Sequence, residues 1–295
     1  MTRDEMTVKF MEMSVNFMNQ NNPIDTERCY LNPADGLWYC KKCHTAKQGL
    51  KELDGRILKH NKQCDCEYAK EQAEGKAVQE QLKMENIARL RYEAFPACKN
   101  SPDSTKNMRS WTFANDKGYQ PVIRYRAEKF VENFDIFYQK GKGILFYGGV
   151  GTGKSYMAAC IANALVEREK SVLMTDFATI SATVSGIYDK QGYYESLNNY
   201  SLLILDDLAS ERDSPYMHEI VHKVINSRCD AGLPMIITTN LTEDDIFKPD
   251  KKFLHDQRIF SRITSKCVLL EVTGPDLRQE TGYEEIDEME ALLGL

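Results

Sequence analysis

The chain has 295 residues, 42% of them hydrophobic and 28% charged, which allows one sizeable core plus a smaller module and excludes an intrinsically disordered protein. The net charge is −6, from 38 basic and 44 acidic residues; six of the acids and no basic residue lie in 280–295, so the rest balances at 38 against 38 and offers no overall attraction for nucleic acid. No apolar run approaches the roughly 18 residues of a membrane span, and MTRDEMTVKF at the amino terminus lacks the apolar core of a signal peptide, so a cytoplasmic protein with no membrane partner is expected.

Residues 4–18 carry Val8, Met11, Val15 and Met18 at the spacing of an amphipathic helix. A polar break, NQNNPID, precedes a cysteine cluster. Of nine cysteines, Cys40, Cys43, Cys64 and Cys66 fall within 27 residues, spaced C-x₂-C-x₂₀-C-x-C. In a reducing compartment such pairs read as a metal site rather than a disulfide framework. Four thiolates suit the tetrahedral preference of Zn²⁺ in a structural site with no open position for chemistry. The first pair has the usual knuckle spacing and the second is tighter, so His44, His60 and Cys29 stand as alternative ligands. From Glu67 to Phe95 the composition is rich in Ala, Glu, Lys, Gln and Arg, a connecting helix that Pro96 stops. Ser101 to Lys106 (SPDSTK) reads as a loop. The expected segments are an N-terminal helix and zinc-binding module (1–66), a connecting helix and linker (67–110), a larger domain (111–279) and an acidic tail (280–295).

From Trp111 the pattern is α/β, with strands expected at Gly143–Tyr147, Val172–Thr175, Leu202–Leu205, Met235–Thr239 and Val268–Val272. Alternating strands and helices imply a central parallel sheet covered on both faces. Gly148, Gly149, Val150, Gly151, Thr152, Gly153, Lys154 and Ser155 satisfy G-x-x-x-x-G-K-[ST] between a strand and a helix. The glycines let backbone N–H groups curl around the phosphates of ATP, Lys154 supplies a point charge to them, and the Ser155 hydroxyl ligates Mg²⁺. A chance glycine-rich turn would lack that strand and helix. Leu202–Leu205 ends in Asp206 and Asp207. Such a strand is expected beside the P-loop strand, with Asp206 holding Mg²⁺ and Asp207 polarising the attacking water. Glu is the commoner base at the second position; the shorter Asp207 leaves binding intact and bears on the rate, with Glu211 as a substitute base. Asn240, after Ile236-Ile-Thr-Thr239, stands where a γ-phosphate sensor would orient water. Tyr188, Tyr193, Tyr194 and Tyr200, near Lys190, could stack on single-stranded bases, but aromatics at helical spacing more often serve the core.

In order and spacing these segments resemble the bacterial replicative-helicase loaders of the DnaC type, and the related IstB-like transposition ATPases, over about Trp111 to Arg278. The resemblance rests on Gly-Lys-Gly-Ile-Leu-Phe-Tyr before the P-loop, Leu-Asp-Asp-Leu-Ala, Ile-Thr-Thr-Asn, and Arg258-Ile-Phe-Ser-Arg262-Ile followed by Val-Thr-Gly-Pro-Asp-Leu-Arg278. The Asp-Asp and Val-Thr-Gly-Pro details are most similar to loaders of Gram-positive bacteria and their phages or mobile elements. It implies an AAA+ P-loop NTPase fold lacking the usual C-terminal helical lid. Arg262 matches the arginine finger that reaches the ATP of a neighbouring subunit, Arg258 an arginine at the same boundary, and Arg278 the arginine that contacts its own subunit's nucleotide. The implied partners are a replicative DNA helicase, gripped through an N-terminal zinc module, single-stranded DNA, and further copies of the chain associating through their ATP sites. Two alternatives remain: an IstB-like transposition helper, against which the zinc-type module counts, and an ATP-switched interaction protein with little hydrolysis, which Asp207 keeps open. A small-molecule kinase is disfavoured, since no lid with substrate-binding arginines follows the P-loop.

Overall fold

The computed structural model describes residues 3–53, 56–96, 108–209, 214–247, 254–277 and 292–293. The chain divides into two compact units, Met1–Met84 and Glu85–Leu295, the division falling inside the helix read from sequence as a connector.

The first unit opens with α1 (Arg3–Asn21), which packs on the second of two small antiparallel hairpins. These are β1 (Cys29–Leu31) with β2 (Trp38–Cys40), and β3 (Gln48–Leu53) with β4 (Arg56–Asn61). Asn19 Oδ1 accepts from the Asn61 N–H at 2.7 Å and pins α1 to β4. The helix α2 (Asp65–Ala94) begins in this unit. Glu67, in its first turn, accepts from the N–H of Cys64, which precedes the helix, satisfying one of the donors a helix start leaves orphaned.

In the second unit, α2 ends with Leu90 and Ala94 buried. Then follow α3 (Pro121–Glu132), α4 (Phe134–Lys140), β5 (Gly143–Tyr147), α5 (Lys154–Glu167), β6 (Val172–Asp176), α6 (Phe177–Ser185), α7 (Lys190–Ser196), β7 (Leu202–Leu208), α8 (Pro215–Asp230), β8 (Met235–Thr239), α9 (Glu243–Phe247), α10 (Leu254–Lys266) and β9 (Cys267–Glu271). The five strands form one parallel sheet in the order β6-β7-β8-β5-β9. Side chains of successive residues point to opposite faces, and both faces are apolar. Ile144, Phe146, Leu202, Ile204 and Ile236 pack with residues of α3 and α5. Leu145, Leu203, Leu205 and Ile237 pack with residues of α6, α8 and α10. Burial on both faces makes these strands near-continuous hydrophobic runs.

This order corrects one expectation. The strand carrying Asp206 does not lie beside the P-loop strand: β8 runs between β5 and β7. Adjacency is set by where the α8 crossover returns the chain, which neither strand's sequence encodes. The interposed strand brings Thr238 and Asn240 between the P-loop and the two acids.

A buried cation holds this unit's lower side. The Arg228 guanidinium, near the end of α8, is fully buried and donates to the carbonyls of Pro234, Leu197 and Ser201 at 2.8–3.3 Å. Burial drags its pKa down to about 10, so it remains charged near neutrality with backbone dipoles in place of a counter-ion.

Candidate functional site

At the carboxyl ends of β5, β7 and β8 lies a cavity of about 1080 Å³. One wall is the loop between β5 and α5. Gly148, Gly151 and Gly153 have φ of 130°, 74° and 97°, values that favour glycine. At Gly151 a Cβ would lie 1.7 Å from Asp276 Oδ1, and at Gly148 it would lie 2.5 Å from the Val272 carbonyl oxygen. The loop is closed by its own bonds: Thr152 Oγ1 donates to the Gly149 carbonyl at 3.0 Å, and the Leu277 N–H to that of Gly151 at 3.0 Å. Lys154, buried, turns its ammonium onto the carbonyls of Gly148 at 2.9 Å and Gly149 at 2.5 Å. Lys154 and Ser155 begin α5, so the helix's free N–H groups face the cavity, a ready anion site.

Asp206 and Asp207 form the opposite wall. Asp206 Oδ1 accepts from Thr238 Oγ1 at 2.6 Å, and Ser155 also bonds the carboxyl. Burial raises this carboxyl above its usual pKa; the Thr238 and Ser155 bonds lower it, while Asp207 and Asp176 raise it further. A divalent cation would reverse that shift, so Asp206 and Ser155 fit Mg²⁺. Asp207 breaks the regular conformation within β7: its φ is 60°, at a register irregularity between Leu205 and Leu208. Two bonds hold it there, its N–H donating to Thr238 Oγ1 at 2.8 Å and its Oδ1 accepting from Asn240 Nδ2 at 2.9 Å. A non-glycine residue in this region is strained, and the strain sits on the residue expected to orient water.

The far wall was not legible in the sequence. Ser110, Trp111, Asn115, Asp116, Lys117, Tyr119 and Gln120 line it. Asn163, buried on α5, donates to the carbonyls of Met108 and Trp111 at 2.8 Å each. Trp111 stacks obliquely on Tyr156 with centroids 5.5 Å apart. Gln120 Nε2 donates to the Thr273 carbonyl at 2.7 Å. Thr238 is the other omission: one hydroxyl fixes both acids.

Two of the expected arginines, Arg258 and Arg262, do not line this cavity. Arg262, on α10, pairs with Asp230 at 3.0 Å, both partners well exposed, and does not line the cavity. Arg258, one turn earlier, is exposed. Arg278 and Glu211 lie outside the described residues. Among the tyrosines, Tyr194 is buried and Tyr193 and Tyr200 pack against the core beneath α6 and α8, whereas Tyr188 is fully exposed. Packing, not base stacking, accounts for three of the four.

In the first unit the Sγ atoms of Cys40, Cys43, Cys64 and Cys66 all lie within 4.8 Å of one another. Cys40–Cys66 is 3.7 Å and Cys64–Cys66 is 3.2 Å, close to the roughly 3.8 Å of a tetrahedron with ~2.3 Å Zn–S bonds. The thiols fit zinc chemically as well. The Lys42 N–H points at Cys40 Sγ at 3.4 Å, and backbone N–H bonds, the N–H of Cys43 foremost, lower the Cys40 pKa. Thr45, through its hydroxyl and its N–H, brings Cys43 down to about 5. Burial raises Cys64. Cys66 is also raised: the Cys64 bond lowers it, but burial and the bonds to Cys43 and Cys40 prevail. Bound metal deprotonates such thiols outright. His44, His60 and Cys29 lie outside this set of four.

Among known families, that of the IstB-like ATP binding proteins matches residues 76–284. The replicative helicase loader DnaC of Escherichia coli (strain K12) is 30% identical over 128 residues, 42% of this chain and 51% of that protein. The replicative helicase loader DnaI of Bacillus subtilis (strain 168) is 31% identical over 111 residues, 36% of each chain. The match thus spans about half the length of the first relative and about a third of the second. The crystal structure of the DnaC helicase loader aligns with a TM-score of 0.45 at 24% identity, covering 52% of this chain and 91% of that one. No helix among the described residues is long and apolar enough to cross a membrane.

Proposed function

The chain belongs to the family of IstB-like ATP binding proteins, and from that premise we propose that it hydrolyses ATP to load a replicative DNA helicase onto single-stranded DNA. The observation that carries the ATPase reading is the convergence of Lys154, Ser155, Asp206, Asp207 and Asn240 on one cavity. The similarity to two helicase loaders supports the choice of cargo.

In this reading the Gly148–Ser155 loop cradles the phosphates. The Lys154 ammonium exchanges the carbonyls of Gly148 and Gly149 for phosphate oxygens. Asp206 and Ser155 would hold Mg²⁺, which would neutralise phosphate charge when bound. Asp207 positions the attacking water, and Asn240, already bonded to Asp207, links that acid to the γ-phosphate. Arg262 does not line its own cavity, as expected of a residue that serves a neighbouring copy, and its exposed pair with Asp230 costs no more than about 1 kcal/mol to open. Arg278 contacts the nucleotide of its own subunit. The cysteine cluster holds one structural Zn²⁺ in the module that grips the helicase.

The test is Lys154→Ala, assayed for nucleotide binding and phosphate release with helicase and single-stranded DNA present. The reading expects lost turnover with an unchanged circular-dichroism spectrum. Unchanged nucleotide affinity and turnover would refute the site.

A further inference from the structure

One buried charge in the first unit has no part in the nucleotide reading. Lys47 lies just before β3, with its side chain only 5% exposed. Its N–H donates to the Trp38 carbonyl at 2.7 Å, and its own carbonyl accepts from Lys62 at 2.8 Å, so its backbone ties β2 to the end of β4. Its ammonium bonds Glu67 Oε2, the oxygen that also accepts from the Cys64 N–H at 3.3 Å. Lys47 is therefore anchored, through one carboxylate, to the segment that carries Cys64 and Cys66, within electrostatic reach of Cys64 and Cys29. The other basic residues of the knuckle, Lys41, Lys42 and His44, are exposed.

Burying an ammonium is costly unless something compensates it, and Glu67, half-exposed, balances it only one for one. The cysteine cluster supplies the remaining reason. When Zn²⁺ replaces the thiol protons, four thiolates and one dication leave a net charge of −2 in a site where Cys40 and Cys64 are buried. With some of its thiols still protonated, the metal-free cluster carries less negative charge. A fixed cation beside the cluster therefore favours the loaded state over the empty one, and a fixed anion does the opposite.

We propose that Lys47 is the counter-cation of a four-thiolate zinc centre, a positioning residue held by Glu67 that raises the module's affinity for the metal. The inference rests on reading the cluster as a zinc site, and two substitutions separate it from a purely structural tie. The full chain is titrated with Zn²⁺ against a competing chelator at neutral pH. Lys47→Met keeps the aliphatic stem and removes the charge; affinity should fall about 10- to 100-fold, the usual range for outer-shell partners, and Lys47→Arg should recover most of it. Glu67→Gln keeps an acceptor for Cys64 and removes an anion, so affinity should hold or rise. If the pair only staples β3 to α2, both substitutions weaken zinc binding alike, and that result overturns the proposal, as does wild-type affinity in Lys47→Met. Co²⁺ at excess serves as the folding control: a thiolate charge-transfer band of normal intensity in Lys47→Met shows that the four-sulfur site still forms. A collapsed band would assign Lys47 a folding role instead and overturn the proposal. A wild-type chain that binds no Zn²⁺ removes the zinc reading itself, an outcome distinct from equal affinity in wild type and variant.

Discussion

Thr238→Val tests whether one hydroxyl organises the wall that carries Asp206 and Asp207. The substitution is close to isosteric at a buried position, so it opens no cavity and isolates two hydrogen bonds. The first is the donation to Asp206 at 2.6 Å, the second the acceptance from the Asp207 N–H at 2.8 Å. A bond to a carboxylate contributes about 1.5–3 kcal/mol, and an orphaned buried N–H costs about 1–3 kcal/mol. Ser155 still bonds Asp206, which keeps the sum toward the lower end, about 2.5–4 kcal/mol. For a domain of about 150–250 residues each kcal/mol moves Tm by roughly 2–4 °C, so a drop of roughly 5–15 °C is expected. Asp207 would also lose the bond that holds its N–H at a strained φ, and turnover should fall about 10- to 100-fold, as for other outer-shell partners of metal-binding carboxylates. Thermal melts with and without Mg²⁺-ATP, and phosphate release with helicase and DNA present, read both effects. Thr238→Ser keeps the hydroxyl and should cost only about 1 kcal/mol for the lost methyl. A Thr238→Val protein within about 0.5 kcal/mol of wild type, with normal turnover, would show that this hydroxyl organises nothing.

Three further outcomes follow from the same geometry. Because the folded state raises the Asp206 pKa, the native protein holds that proton to higher pH than the unfolded chain; nucleotide-free stability should fall as pH rises from the ordinary carboxylate value through the raised one. Asp206→Asn should therefore flatten this pH dependence and raise the nucleotide-free Tm while abolishing stabilisation by Mg²⁺-ATP; an unchanged pH profile would count against the burial argument. Protein purified without chelator should contain one zinc per chain by elemental analysis, and Cys40→Ser with Cys64→Ser should remove it; retained zinc would exclude these ligands. Arg262→Ala should bind ATP normally yet lose about 10³ to 10⁵ in hydrolysis, Asp207→Asn should behave likewise, and mixing the two should restore partial activity at interfaces pairing an intact Asp207 with an intact Arg262. A normal rate in Arg262→Ala would rule out the trans site.

The sheet strands were legible because burial on both faces leaves them almost wholly apolar, and all five appear within a few residues of their expected bounds. The P-loop, Asp206, Asp207 and Asn240, which the structure gathers at one cavity, were legible because their residue types stand out at strand ends. The first unit's hairpins were not. In β4, Arg-Ile-Leu-Lys-His-Asn has no buried residue, three positions being exposed and three half-buried, so no alternation of apolar and polar positions marks it. Strand order was equally hidden, since it depends on where crossovers return. The far wall of the cavity is assembled from residues 110–120 by contacts with α5 and with Thr273, a tertiary arrangement that no local pattern announces. Thr238 escaped notice because Thr is also an ordinary strand residue; only the register of β7 on β8 places its hydroxyl between the two acids.

In the proposed function, ATP bound at this P-loop drives the placing of a replicative helicase on DNA. Its most direct test is transfer of the replicative helicase onto circular single-stranded DNA, read by co-sedimentation with and without ATP. Transfer should require the wild-type chain and ATP together, and Lys154→Ala should fail to support it while remaining folded. Transfer by Lys154→Ala equal to wild type, or a wild-type chain that neither binds the helicase nor changes its loading, would contradict the account.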